Sequence, residues 1–346
     1  MIYNEMAISQ RLDLYRNGAK KKSLRVEGNM RIHMVQKAEI KTSLSCTIEA
    51  EPDIDLLSDR LHVIQIVDGV EYPVGEFIAT TVSTVSGQGG ARLNIEAYDQ
   101  TILLQQASTG QTFHIAKGTK YLDAIKAILT ECGITREIEE ASDLVISTDR
   151  EDWGIGTSYI SIVNTLLSEM NYEALWFDKN GFARLGKKKT ASSSVPTQKY
   201  EENQYSIIKD GVTTEMDTYT AANVFTAIVS SPDKSMMVAT AVNDSPMSAI
   251  STVNRGRRIH APVEYVDDIA NQDTLQDYVD NLKNESMLST ETVIFSTAPI
   301  PSHQVGEIVA LQTKAANGIY QETEWELVTG FGGEYTHKAR RLVFMT

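Results

Sequence analysis

Basic residues, cysteine and long apolar runs are all scarce in this chain, and each scarcity closes a class of function. Lysine and arginine number 32 against 46 acidic residues, a net charge of -14. A general nucleic-acid binder needs a basic face to displace phosphate counterions, so that class is set aside. An acidic surface instead favours solubility and repels DNA that passes close by. The two cysteines, Cys46 and Cys132, fall in different predicted elements, each on an apolar face, and read as buried thiols rather than a disulfide. No segment approaches the roughly 18 apolar residues of a membrane span, and the start lacks a signal peptide's unbroken apolar run. A chain made in the cytosol, or leaving it by a route other than secretion, is expected.

Recognisable chemistry is equally sparse. The six histidines, His33, His62, His114, His260, His303 and His337, are scattered, without HExxH, His-x-His or a cysteine at ligand spacing. Convergence of three or four such ligands is what zinc needs, so no metal site is predicted and no cofactor is called for. The run SGQGGA precedes a strand rather than a helix and reads as a hairpin loop, not a phosphate cradle. No GxSxG and no Cys-His constellation is present. The acidic run EPDIDLLSD lacks the mid-loop glycine and terminal glutamate of a calcium loop and reads as a solvated loop.

What is present is pattern. The 346 residues are 42% hydrophobic, enough for two or three cores, and length alone suggests about two domains. In IKTSLSCTIEA, Ile40, Thr42, Leu44, Cys46, Ile48 and Ala50 alternate with Lys41, Ser43, Ser45, Thr47 and Glu49. That period of two predicts a half-buried strand. Asp68-Gly69 tolerates positive φ and predicts a tight hairpin turn. Ser86 to Gly90 predicts a second hairpin loop, returning through ARLNIEAY with Leu93, Ile95 and Ala97 inward.

The period then changes. TKYLDAIKAILTECG predicts a helix capped by Thr119, with Leu122, Ile125, Ile128, Leu129 and Cys132 on one face and a stop at Gly133. A second helix places Ile160, Val163, Leu167 and Met170 together, followed by a hairpin turning at Asp178 to Gly181. KKKTASSSVPTQ is a polar linker. Beyond it, NVFTAIVSSPDKSMMVATAV predicts a hairpin turning at Ser231 to Lys234, and a later helix aligns Leu275, Tyr278, Val279 and Leu282. The expected class is mixed β and α+β: two small antiparallel β-barrel-like domains, residues 1–107 and 191–346, flank an α+β module at 108–190. The last domain carries one helix at about 271–287. Gly69 to Leu93 and Gly318 to Leu342 share an order of features: a glycine near a tyrosine, Glu-aromatic opening a strand, a glycine-bearing connection, then Ala-Arg and leucine. The echo hints at two related β domains.

Two surface groups carry functional expectations. STDREDWG gathers Asp149, Glu151 and Asp152 beside Trp153. Carboxylates beside an aromatic can hydrolyse a glycoside if acid and base stand about 5–10 Å apart across the sugar, although the same residues also suit the approach to a helix N-terminus. NRGRRIH holds Arg255, Arg257 and Arg258, whose forks bind oxyanions. In so acidic a chain they point to an acidic patch on a neighbouring subunit. The lysine runs 20–22 and 187–189 read as solvated loops.

The run DWGIGTSYISIVNTLLSEMNYEALWFDKNGFARL resembles the central module of phage tail baseplate hub proteins, and AEIKTSLSCTIEAEPDIDLLSDRLHVIQIVDGVEYPVGEFIATT resembles their N-terminal barrel. The order β, α+β, β matches that family across nearly the whole chain. The resemblance implies a structural protein rather than an enzyme: a homotrimeric ring at the distal end of a tail tube, quasi-sixfold because each chain carries two similar barrels. Its implied partners are itself, the tail tube or distal tail protein, a spike or tip protein and a tape-measure protein, with DNA at most passing through the channel. Its implied place is a phage or bacteriocin tail assembled in the host cytoplasm. The chain ends directly after ARRLVFM, so any wall-degrading activity is expected on another polypeptide. In that frame the outer strands of both barrels pair between subunits, with Arg255, Arg257 and Arg258 at a polar contact. A second class remains open, a carbohydrate-active or receptor-binding tail protein centred on Asp149, Glu151, Asp152 and Trp153.

Overall fold

A computed structural model of the chain describes residues 7–342 apart from 52, 88–89, 148–151, 189–194, 204–205, 210, 217–220, 230–235, 267–268, 270, 288–290, 301–302, 305 and 331. The first region is all strand: β1 (Ile8–Arg16), β2 (Ala19–Leu24), β3 (Val26–Val35), β4 (Thr42–Glu49), β5 (Arg60–Val67), β6 (Val70–Gly87) and β7 (Gly90–Tyr98). Period-two alternation drives it, because successive side chains face opposite sides of a strand. Leu44, Cys46 and Ile48 of β4 enter a core with Met30, Ile32 and Met34 of β3 and Leu61 and Val63 of β5. Asp68 and Gly69 take φ of 49° and 80° and set Val67 opposite Val70, the turn expected of that pair. The second hairpin is tighter than predicted, since the β6–β7 ladder runs on until Gly87 faces Gly90. Lys41 departs from its alternation: it is buried, and its ammonium donates to the Gln36 carbonyl at 2.6 Å and the Ala38 carbonyl at 3.1 Å. It staples the β3–β4 turn instead of facing water.

The α+β module comprises α1 (Thr101–Gln106), α2 (Tyr121–Glu131), β8 (Glu137–Glu139), α3 (Tyr159–Glu169), β9 (Trp176–Phe177) and β10 (Ala183–Leu185). The helices pack their predicted faces into one core, and β10 joins β9 antiparallel and β8 parallel. Thr119 is not the cap: α2 starts one residue later, and its N-cap Lys120 makes no side-chain cap bond. Gly133 does take the left-handed stop, at φ 78°. Both cysteines are free thiols, and burial pushes Cys46 up to about 12 and Cys132 to about 11, so neither is poised to react.

The remaining strands are β11 (Gln198–Glu201), β12 (Thr213–Met216), β13 (Val224–Val229), β14 (Met237–Val242), β15 (Glu264–Val266), β16 (Glu291–Thr297), β17 (Ile308–Gln312), β18 (Asn317–Val328) and β19 (Glu334–Arg341), with α4 (Thr252–Arg255) and α5 (Gln272–Met287). The predicted hairpin is β13–β14, and its turn at Ser231 to Lys234 lies outside the described residues. β13, β14 and β15 form a separate three-stranded sheet over which α5 lays Leu275 and Val279, with a core of its own. Sequence periodicity had marked the helix and the hairpin but not that they form a unit apart from the flanking strands.

Neither β region closes into a barrel among the described residues. Instead β3 bonds β18 antiparallel, from Val35 opposite Glu324 to Arg31 opposite Val328, so the first and last regions share one sheet. Trp325 and Leu327 of β18 complete the core of the first region. No helix among the described residues is long and apolar enough to cross a membrane.

Candidate functional site

The turn Asp178 to Gly181 docks the α+β module on the first β region. Asp178 Oδ1 accepts from the amides of Asn180 (2.9 Å) and Phe182 (3.1 Å), which folds the turn and brings Gly181 to φ 74°. A Cβ on Gly181 would lie 2.5 Å from Glu76 Oε2 and 2.8 Å from Arg136 Nη2, so any other residue would push that ion pair aside and strain the left-handed backbone. Gln100 donates to the Gly181 carbonyl at 3.0 Å and to Glu76 Oε1 at 3.1 Å. Arg136 pairs with Glu76 Oε2 and donates to the Asn180 carbonyl at 3.1 Å. His62 stands 3.3 Å from the same carboxylate and stacks on Tyr15. Burial holds its pKa below the usual imidazole value against the opposing pull of Glu76. The buried Glu76 carboxylate is thus compensated by groups from both sides of the junction, as a buried charge requires.

A second buried polar cluster lies in the last β region. Glu322 sits at a bulge in β18, His337 in β19, and His303 in the connection between β16 and β17; all three are buried. Glu322 Oε2 is 3.2 Å from His303 Nδ1, and Glu322 Oε1 bonds His337 Nδ1. The outer ring nitrogens meet hydroxyls, Tyr200 at 3.2 Å from His303 Nε2 and Thr297 at 2.8 Å from His337 Nε2. Glu307 Oε2 lies 3.2 Å from His303 Nδ1. Burial alone would raise the Glu322 pKa, but the two imidazoles outweigh it and hold the carboxyl at about 2. Burial would likewise lower His303, yet Glu322 and Glu307 raise it to about 9, while burial keeps His337 low. Sequence spacing had scattered these histidines; strand pairing brings them together. Only Tyr335 and Ala339, two positions to either side of His337 on the same face of β19, signalled an inward-facing imidazole.

Asp149 and Glu151 lie outside the described residues. Asp152 is exposed and bonds His114 Nδ1 at 2.6 Å, and Trp153 packs partly buried against the module core beside Phe113. Arg257 and Arg258 are exposed and Arg255 half-buried on a turn closed by Gly256 at φ 62°. Asn223 holds that turn by donating to the carbonyls of Ile250 (3.0 Å) and Arg257 (3.1 Å) and accepting from Ile259 N at 2.7 Å.

The large sheet has an order of its own. Read from one end it runs β12-β16-β19-β18 and then β3-β4-β7-β6, the same arrangement twice. The echoing segments are the hairpins β6–β7 and β18–β19, and each carries a bulge, at Ala79/Thr81 and Glu322/Glu324. β18 gives its first half to β17 and its second to β3, while β6 gives its first half to β5. Beside the second half of β6, Thr80 to Gly87, the edge opposite β7 pairs with no strand among the described residues, and all eight residues are exposed. All four residues of β12 are exposed too. The face away from the core is polar and balanced: Arg31 faces Glu326 at 3.6 Å, His33 meets Glu324 at 2.8 Å, and Thr47 bonds Asn94 at 2.9 Å.

No protein-family profile and no curated protein sequence matches the chain. Solved structures do. A tail protein from Neisseria meningitidis superposes with a TM-score of 0.69 at 14% identity, over 96% of this chain and 97% of that one. The fold is that of phage tail proteins. The 43 kDa tail protein of prophage MuSo2 from Shewanella oneidensis shares this tail fold, with a TM-score of 0.64 at 10% identity over 96% and 98% of the two chains. An E. coli component of the type VI secretion system, itself similar to T4 bacteriophage tail proteins gp27 and gp5, matches at a TM-score of 0.55 and 10% identity, over 96% of this chain and 77% of its own.

Proposed function

We propose that this chain is a structural hub of a phage or phage-like tail, three copies of which close into a ring at the distal end of the tail tube. The open edge of β6 carries the reading. Within one chain, β3 fills the place beside β18; the corresponding place beside Thr80 to Gly87 is open among the described residues. β12 holds the position in its four-strand set that β3 holds in the other. Antiparallel pairing of one copy's β12 with the next copy's β6 would continue the repeat around a heterologous, closing ring. The free half of β6, TTVSTVSG, has no charge and no proline, whereas the sheet's terminal strand β2 carries Lys20, Lys21 and Lys22, the charge that discourages strand addition.

In this ring residues 1–107 and 191–346 supply the two similar units and 108–190 an outer module held by the Glu76 clamp. Arg255, Arg257 and Arg258 touch an acidic patch of a neighbour. The balanced, hydroxyl-rich sheet face lines the channel, a wall along which DNA passes without adhering. The tube or distal tail protein, the tip or spike and a tape-measure protein are the other partners. Light scattering across a concentration series, with and without the cognate tube protein, tests the ring. A mass near three times 38.3 kDa for the native chain, lost in a folded Val82→Lys, Val85→Lys variant, is expected. A variant that assembles as well as the native chain would overturn the β6 seam, and a monomer even with the tube protein would overturn the hub.

A further inference from the structure

His303, Glu322 and His337 form a buried cluster that the proposed ring does not use. Two imidazoles present Nδ1 to one buried carboxylate, and a second carboxylate, Glu307, stands 3.2 Å from His303 Nδ1. The three central donors lie within 4.8 Å of one another. Ligand atoms about 2.0–2.2 Å from a tetrahedral zinc ion stand about 3.3 Å apart, and the contacts of Glu322 and Glu307 to His303 match that spacing. The outward nitrogens are already engaged by the hydroxyls of Tyr200 and Thr297. Such outer partners fix ring orientation and turn the opposite nitrogen toward a metal.

The surroundings point the same way: Phe295 stacks on His337, and Trp325 and Tyr335 pack against His303, so the donor atoms face a dry, apolar shell. Imidazole with carboxylate suits zinc-class ions, whereas magnesium and calcium take oxygen donors.

We propose that His303, Glu322 and His337, with Glu307 as fourth donor, bind one divalent cation of the zinc class. The ion would tie the connection between β16 and β17, which carries His303 and Glu307, to the β18–β19 hairpin. This inference is independent of the ring: a monomer could bind zinc, and a ring could lack it.

The test uses the untagged full chain, stripped with chelator, dialysed and titrated with zinc sulfate. Bound metal is counted by mass spectrometry and thermal unfolding followed in parallel. One zinc per chain is expected, with folding favoured about a hundredfold when free zinc is a hundred times its Kd. His337→Gln and Glu322→Gln should lose the bound zinc, and His114→Gln, an exposed histidine elsewhere, should keep it. Because the buried variants can fail to fold, cobalt added to the native chain gives a second readout, a visible absorption band of tetrahedral coordination. A native chain that keeps no zinc, shows no zinc-dependent shift in unfolding and gives no cobalt band overturns the proposal and leaves the cluster as a hydrogen-bonded network.

Discussion

The hairpins β6–β7 and β18–β19 are built to one plan and meet different fates. Each has a long first strand, a bulge part-way along and a return strand in register on one side. Trp325 and Leu327 in the second half of β18 are 2% and 0% exposed, because β3 lies alongside and its core lies beneath. Val82 and Val85 in the second half of β6 are 41% and 52% exposed. The side chains differ accordingly. The second half of β18 sends Trp325 and Leu327 inward and Glu324 and Glu326 outward, while the second half of β6 offers threonine, serine and valine on both faces. A strand with a neighbour in its own chain can specialise its faces; one that waits for a neighbour must stay soluble yet remain able to pair.

That contrast can be broken at its filled end first. Trp325→Ala should cost about 3–5 kcal/mol, as a large ring leaves a cavity in the shared core, measured by urea unfolding. Trp325→Phe should cost much less, because the buried indole Nε1 has no hydrogen-bond partner to lose. Next comes the clamp that positions the module against β6. Gly181→Ala should cost about 1–2 kcal/mol from the left-handed backbone alone, before its contact with Glu76, and limited proteolysis should cut the module sooner.

Acid has a smaller and more local effect. Burial would raise the Asp13 pKa, but hydrogen bonds from Arg11, Lys20 and Ser23 outweigh it; Arg16 holds Asp59 low in the same way. A carboxylate depressed in the folded state contributes fully above its unfolded value, about 4, and loses that contribution as pH falls through the folded one. Unfolding midpoints should therefore drop below about pH 4, and Asp13→Asn should flatten that slope. The smallest effect is expected at the open end. Val82→Lys should change monomer stability by no more than about 0.5 kcal/mol while removing assembly. Loss of several kcal/mol on chemical denaturation would mean that the edge is already covered within one chain.

Much of the architecture was legible because periodicity is a local property. The β4 alternation, the Asp68-Gly69 turn, the α3 face and α5 with its inward Leu275 and Val279 all follow from spacing along the chain. Lys41 was misread because its burial depends on carbonyls across a turn. Thr119 was misread because the helix starts a residue later than its capping signal. The seam between β3 and β18 left no mark in either segment, since both are good strands whatever their neighbour. His303, Glu322 and His337 looked unrelated because each is separated from the others by an ordinary strand or loop.

Composition by itself determined that the chain is acidic, and spacing along it predicted free thiols and a mixture of β and α+β regions. The alternation of side chains and the helix faces required no partner to be read. Tertiary structure decided which strand lies beside which, and with it the doubled sheet, the exposed half of β6 and the buried histidine cluster. The physical reason is that backbone hydrogen bonds between strands are nearly independent of side-chain identity. Pairing is chosen by shape and burial over the whole fold, so neighbours distant in sequence leave no local pattern.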